Sequence, residues 1–589
     1  MARGHNPVKH AKLNKTLPGA GRGIGDALGT VSQAARLARQ APKKVRSMLQ
    51  AGHRHVMREE WAKAAKCYFD AWDHLPEDLE VLTMLAHCLG KLGARRQALD
   101  ILEKAITIHG GEPRVYEVMG HMCAEMHLYD IAAKVCRQAV ELWPDKPEFY
   151  ALMFYALVNL ERYDEVIDTA QAVLPLFPAH AMLWNELGSA VRMRDGPQQA
   201  LEFYEEAVRL APDNARIVCN LAMVMPPDRE RDRIDLFRKA LSLNSDLPEA
   251  HIAIGYHHLS EGRLAEGWRH YEWRKRLTRA KGQRPLYQLD IPEWQGAGDK
   301  VDCVLVAAEQ GLGDEIMFAR AIPQLIERVR TVIIACDPRL VGIFARSFPQ
   351  AHVISYRDED VLGDIRRHFP DLEGLAGKGV KAEAYIPCGS LPYHVWSDID
   401  CVPICPSGYL TPDPELVEKW RARLSAIGDG RKIGISWKSG MTMGARRFYY
   451  TSLPDFLPLA VCEDVHLVNL QYGDVGEDIA SFEEKSGACI HRWDDFDVRQ
   501  DIENNLALMS VLDFVVGPQI APQMMATSVG TQVRLLMHVD PWWALGTAAG
   551  GDGPSFIPNM RFVNVADYGW QAGIDAVARE VAALQKTPA

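Results

Sequence analysis

The sequence predicts an α-helical solenoid in its first half and a pair of doubly wound α/β units in its second. Three observations lead there. The chain has 589 residues, enough for about three or four folding units. A 34-residue spacing of small and aromatic residues runs to about residue 275. From about residue 300, short β-rich runs alternate with helical ones.

Composition bounds the rest. Apolar content of 48% with 24% charge is that of a globular chain, which excludes disorder throughout and collagen-like or mucin-like repeats. No run of about 18 apolar residues is present to span a bilayer, and no apolar signal core follows the charged start, so the expected compartment is the cytoplasm. Twelve cysteines are scattered without a CxxC pair, as expected of reduced thiols rather than a zinc site. The net charge is −11, yet residues 1–50 hold ten Lys/Arg against one acid, Asp26. An acidic body behind a basic head argues against general nucleic-acid binding. Residues 1–44 read as a basic, partly disordered extension.

The repeat comes first along the chain. One copy sets Gly52, Ala64, Tyr68, Ala71 and Pro76 in register, and the next sets Ala86, Ala98, Leu102, Ala105 and Gly110. Gly120, Ala132, Cys136, Ala139 and Pro144 follow, then Phe154, Val166, Ala170, Val173 and Pro178, then Gly188, Ala200, Tyr204, Ala207 and Pro212. Small residues let two antiparallel helices approach, an aromatic fills the groove between them, and proline stops the second helix. The register slips over Asn220–Asn244, where Met225-Pro226-Pro227 breaks it and one residue is lost, and Gly255, Gly267 and Tyr271 restart it. This pattern resembles the tetratricopeptide repeat family. The resemblance implies a solenoid over 45–277 whose concave face holds a protein partner.

After a linker at 278–299, Val301–Ala308, Thr331–Cys336, Lys432–Trp437, His466–Leu470, Leu512–Val516 and Gln532–Leu536 read as strands. Helices are expected over Glu315–Val329, Ile502–Leu512 and Ala521–Val529. The alternation implies two parallel-sheet domains, 300–425 and 426–589, with ligands at the carboxyl ends of their strands.

Those strand ends carry a second resemblance. Glu309-Gln310-Gly311-Leu312-Gly313-Asp314 with Phe318-Ala319-Arg320 is similar to the opening motif of bacterial glycosyltransferases fused behind tetratricopeptide repeats. Trp268, Tyr271-Glu272-Trp273-Arg274, Pro292-Glu293-Trp294, Ser436-Trp437-Lys438-Ser439-Gly440 and Asn469-Leu470-Gln471-Tyr472-Gly473 extend it over 255–540. The resemblance implies a GT-B-type fold of two facing Rossmann-like domains, related to heptosyltransferases and O-GlcNAc transferases and most similar to transferases of flagellin modification. It implies a protein O-glycosyltransferase with a nucleotide-sugar co-substrate, no other cofactor, no metal, and flagellin held by the repeats.

Within that frame Asp314 is the expected general base, because transfer to a hydroxyl needs a carboxylate within reach of its proton. Glu315 is the runner-up. Gly311 and Gly313 open the turn to the sugar, and Lys438, with Arg446 and Arg447, is expected to neutralise the departing phosphate. Gln471 and Tyr472 are expected to hold base or ribose. Asp358-Glu359-Asp360 and Asp494-Asp495-Phe496-Asp497 read as solvated loop acids. One segment departs from the family pattern: Gln519, Ile520 and Met524 stand where relatives place Asp-Thr and His. A donor with one phosphate, such as a CMP-activated nonulosonic acid, is compatible with that loss. Two other readings stay open, a heptosyltransferase-like enzyme of surface glycans and a non-catalytic scaffold.

Overall fold

The computed structural model describes residues 43–277, 285–296, 298–361, 364–440, 444–537, 553–554, 556–565 and 569–585. The expected basic extension therefore lies outside the described residues up to 42, while Lys43 already opens the first helix. Contacts divide the chain into two compact units, Met1–Ala250 and His251–Ala589.

The first unit is a run of paired helices: α1 (Lys43–Val56) with α2 (Trp61–Trp72), α3 (Leu79–Lys91) with α4 (Arg95–His109), and α5 (Pro113–Glu125) with α6 (Tyr129–Leu142). Then come α7 (Pro147–Asn159) with α8 (Tyr163–Val173), α9 (Ala181–Arg194) with α10 (Pro197–Leu210), and α11 (Ala215–Val224) with α12 (Glu230–Leu243). The small residues of the register are where the helices cross. A methyl on Gly52 would lie 3.0 Å from the Tyr68 ring, and one on Gly188 would lie 3.2 Å from Tyr204. Ala64, Ala98, Ala132, Val166 and Ala200 are fully buried at the equivalent crossing. The turn inside each pair repeats too: Glu59, Gly93, His127 and Glu161, 34 residues apart, all take positive φ between 58° and 77°. Where the register slips, α11 stops at Met225, a 3-10 turn spans Pro227–Arg229, and Phe237 and Ala240 take the buried places of Tyr204 and Ala207.

The second unit opens with the helix pair α13 (Pro248–Ser260), most of which it contains, and α14 (Leu264–Tyr271), followed by a 3-10 turn at Glu272–Arg276. Two parallel sheets follow. The first half has the order β4-β3-β2-β7, from β2 (Cys303–Ala307), β3 (Thr331–Cys336), β4 (His352–Ser355) and β7 (Ala384–Pro387). The second half has the order β10-β9-β8-β11-β12-β13. Its strands are β8 (Arg431–Ile435), β9 (Val465–Asn469), β10 (Ile490–His491), β11 (Phe514–Pro518), β12 (Gln532–Met537) and β13 (Met560–Asn564). That is the doubly wound order, in which chain direction across the sheet reverses between β8 and β11, and in the first sheet between β2 and β7. β2 and β11 are buried along their whole length, as runs covered on both faces must be.

Two expectations are corrected. The helix expected over Glu315–Val329 is two, α15 (Leu312–Ala319) and α16 (Ile322–Ile326), because Arg320 turns aside and Pro323 cannot continue the earlier ladder. Asp358-Glu359-Asp360 is no loop. It lies in β5 (Arg357–Val361), antiparallel to β6 (Asp364–His368), which pairs in turn with β1 (Leu286–Tyr287). Asp494-Asp495-Phe496-Asp497 is a loop with exposed acids, as expected, and Asp495 pairs with the two terminal nitrogens of Arg423 at 3.0 and 2.5 Å. Further helices of the unit include α17 (Pro414–Ala426), α18 (Gly476–Ser486), α19 (Ile502–Met509) and α20 (Ala521–Ser528). Among the described residues no helix is long and apolar enough to cross a membrane.

Candidate functional site

Both points of strand-order reversal carry the residues singled out in the sequence. The Glu309–Asp314 turn leaves β2, Lys438 follows β8, and Gln519–Ala521 leads from β11 into α20. The two halves meet there. A methyl on Gly313 would lie 3.2 Å from Ala521 Cβ, so glycine is needed for α15 and α20 to approach. Gly311 differs: a methyl there meets only Asp314 Oδ2, at 3.8 Å, leaving its outer face open.

Asp314, half-buried, accepts the Gly311 N–H through Oδ2 at 3.2 Å and so closes the first turn of α15. Its neighbour Glu315 is buried, with Oε2 accepting the Asp337 N–H (2.9 Å) and Oε1 the Tyr356 hydroxyl (3.0 Å). Burial pushes its carboxyl up to about 8, which the Asp337 amide and Arg367 only partly oppose. Behind the turn, Glu309 and Arg274 form a buried two-pronged pair at 3.2 and 2.6 Å, and Arg274 also reaches Glu272 (2.7 Å) and Ser390 (2.8 Å). Arg367 clasps Asp358 with two bonds of 2.7 Å, donates to Ala308 O at 2.8 Å, and stacks on Tyr356. These pairs brace the turn from below.

Arg320, just past the last residue of α15, joins the halves. It donates to Pro403 O (3.0 Å) and Phe556 O (2.5 Å), and the rings of Tyr409 and Phe556 flank its guanidinium.

On the second half, Lys438 Nζ pairs with Asp478 of α18 at 3.0 Å. Arg447 stands exposed in the 3-10 segment Gly444–Tyr449, 4.9 Å from the Phe448 ring, and the side chain of Arg446 lies outside what is described. Gln471 is buried and its amide is used by the protein. The oxygen accepts the N–H groups of Trp437 (2.8 Å) and Lys438 (2.9 Å), and the nitrogen donates to the carbonyls of Lys438 (2.8 Å) and Tyr472 (3.0 Å). It therefore fixes the backbone that carries Lys438. The Tyr472 hydroxyl accepts the Gly440 N–H at 2.8 Å. Gln519 donates to Met537 Sδ at 3.2 Å, and Met524 is buried. Gln523, fully buried, accepts from Ser436 Oγ (2.9 Å) and donates to Pro518 O (2.9 Å) and Ile520 O (3.1 Å), tying the mouth of α20 to the end of β8.

Beside Lys438, at the carboxyl ends of β9 and β10, a cavity of about 510 Å³ is lined by Asn469, Tyr472, Arg492, Trp493, Phe496 and Arg499 among others. Its volume, aromatic rings and guanidinium groups fit a nucleotide-sized ligand. The sequence reading found Gln471 and Tyr472 there and missed the 492–500 side. That wall is built at a distance: Trp493 and Phe496 pack edge-on against Trp420 of α17, at 4.9 and 5.0 Å. An arginine–tryptophan pair just past a short strand was the available signal.

The tetratricopeptide repeat family matches residues 34–245. Along nearly its whole length the chain is similar to Protein FlbA of Caulobacter vibrioides, at 28% identity over 582 residues, covering 94% of each chain. A shorter stretch is similar to Protein O-mannosyl-transferase TMTC1 of Mus musculus, 25% identical over 171 residues, which is 27% of this chain and 18% of that one. The solved structure MamA MSR-1 C2 aligns with 29% of this chain and 98% of that chain, at 22% identity and a TM-score of 0.24. The helix pairs described between Lys43 and Leu243 fall within that match and are tetratricopeptide repeats.

Proposed function

We propose that the chain is a GT-B-type protein O-glycosyltransferase. The repeats hold a protein acceptor, with flagellin the leading candidate, and the second unit transfers a sugar from a nucleotide-sugar donor to its Ser or Thr hydroxyls. The observation that carries this reading is the meeting of two doubly wound sheets at their carboxyl-end turns, with Gly313 against Ala521 and a nucleotide-sized cavity beside Lys438. The similarity of a short stretch to a protein named as an O-mannosyl-transferase agrees with it.

The proposed step is a displacement at the anomeric carbon. The acceptor oxygen forms the new C–O bond, its proton passes to Asp314, and the bond to the donor phosphate breaks with its electron pair staying on the phosphate oxygen. Lys438, with Arg446 and Arg447, is proposed to meet the charge that develops there. In this reading Gly311 admits the sugar, Gly313 sets the distance between the halves, Gln471 holds Lys438 in place, and Tyr472 lines the nucleoside pocket. Gln519 and Met524 bring no charge to the mouth of α20, which favours a donor with a single phosphate such as a CMP-activated nonulosonic acid. The same two residues favour a second reading, a repeat scaffold whose transferase unit no longer turns over.

The purified full chain, flagellin and a set of CMP-, UDP- and ADP-linked sugars separate these readings. Transfer requires nucleotide release that depends on flagellin and falls at least a hundredfold in Asp314→Asn and Lys438→Ala. Flagellin binding without release from any donor favours the scaffold.

A further inference from the structure

A chain of hydrogen bonds connects the helix that begins at the Gly311 turn with the wall of the cavity on the opposite half. It starts at Glu315, whose Oε2 accepts the Asp337 N–H at 2.9 Å. The Asp337 carboxylate then holds Arg339, accepting from its Nε and Nη2 at 2.8 Å each and from its backbone N–H at 3.0 Å. Burial alone would raise the Asp337 carboxyl, but the bonds from Arg339 hold it below its ordinary value. That grip leaves one nitrogen of the fork, Nη1, and it donates across the halves to Arg499 O at 2.9 Å.

The receiving loop is rigid at that point. Asp497 accepts the N–H groups of Arg499 (2.8 Å) and Gln500 (3.1 Å), and buried Asn505 donates to Val498 O at 2.7 Å. A shift of the Arg499 peptide therefore carries the Arg499 side chain, which lines the cavity 6.0 Å from the Tyr472 ring.

We propose that Arg339 is a positioning residue that couples occupation of the cavity to the order of the Gly311–Glu315 turn. The inference rests on the reading of the cavity as the nucleotide site. A planar guanidinium with two nitrogens fixed by a carboxylate has one direction left for the third, so the Arg499 carbonyl and the Asp337 backbone move together. Ligand that seats Arg499 pulls on Asp337, and through it on the carboxyl next to Asp314. A second bond between the halves serves as the control: Arg346 pairs with Glu503 and donates to Thr411 O at 3.2 Å, and neither partner lines the cavity.

Hydrogen exchange on the full chain, with CMP and UDP as probes, tests the coupling. In the wild type, nucleotide raises the protection of the 311–315 amides at least threefold. In Arg339→Gln that rise disappears, even at nucleotide concentrations that saturate the 492–500 loop, and affinity falls about tenfold. Arg346→Gln lowers thermal stability to a similar degree but keeps the nucleotide-dependent rise. Full protection in Arg339→Gln, or its loss in both variants, overturns the coupling while leaving the cavity reading intact. Failure of the wild type to bind either nucleotide overturns both.

Discussion

Gly313 and Ala521 touch across the two halves of the second unit, and a methyl added to Gly313 would lie 3.2 Å from Ala521 Cβ and 3.3 Å from its Cα. The contact explains a glycine that a phosphate- or sugar-binding reading alone leaves to ligand approach. Gly313→Ala is expected to cost about 1 kcal/mol and Gly313→Val about 1–3 kcal/mol, because both neighbours are at helix ends that cannot repack freely. Ala521→Gly in the Gly313→Ala background restores most of the loss. Chemical denaturation of Gly313→Ala, Ala521→Gly and the double variant checks this, and additive losses would count against the contact.

The Arg274–Glu309 pair offers a second test. Both side chains are buried, so removing one partner strands the other. Arg274→Met is expected to destabilise the second unit by about 3–5 kcal/mol, and Arg274→Met with Glu309→Leu by much less. Equal losses in the single and double variants would show that the pair matters through packing alone.

Glu315 gives a pH dependence with a definite sign. Its carboxyl titrates near 8 in the folded protein against 4.5 as the reference. Between those values the folded state keeps a proton that the unfolded state releases, so stability falls as pH rises from about 4.5 to about 8. The slope is at most about 1.4 kcal/mol per pH unit. Glu315→Gln removes this slope, and unfolding midpoints at pH 5, 6, 7 and 8 measure it. Parallel curves for the variant and the wild type would contradict the placement of the proton.

The first unit carries strain at a repeated place. Glu161 sits at φ 60° in the turn where Gly93 sits at 77° in an earlier copy. Left-handed backbone costs a non-glycine residue about 1 kcal/mol, so Glu161→Gly is expected to raise the stability of this unit by about 0.5–1 kcal/mol. A fall in the melting temperature would show that the Glu161 side chain repays the strain.

What was legible in the sequence follows from the range of the interactions. The repeat register was readable because one small residue per helix crossing, such as Gly52 against Tyr68, is a local requirement recurring every 34 residues. β2, β3, β8, β9, β11 and β12 were readable because strands covered on both faces are short apolar runs. The β5–β6 ribbon was not, since Arg357–Val361 is exposed and charged and has no apolar alternation. The end of α15 was misread because Arg320 is recruited by Pro403 and Phe556, far along the chain. The 492–500 wall depends on Trp420, more than 70 residues earlier, and Arg339 reaches that loop through the carbonyl of Arg499, 160 residues later. At the candidate site the turns were found and the braces were not.

Intact-mass analysis of flagellin co-expressed with the full chain is the most direct measurement. The expected result is a sugar-sized increment on flagellin with the wild type and none with Lys438→Ala, both proteins being present at equal levels. Flagellin of unmodified mass beside the wild-type chain, in cells that make the activated sugar, would contradict the assignment of the second unit as a protein glycosyltransferase.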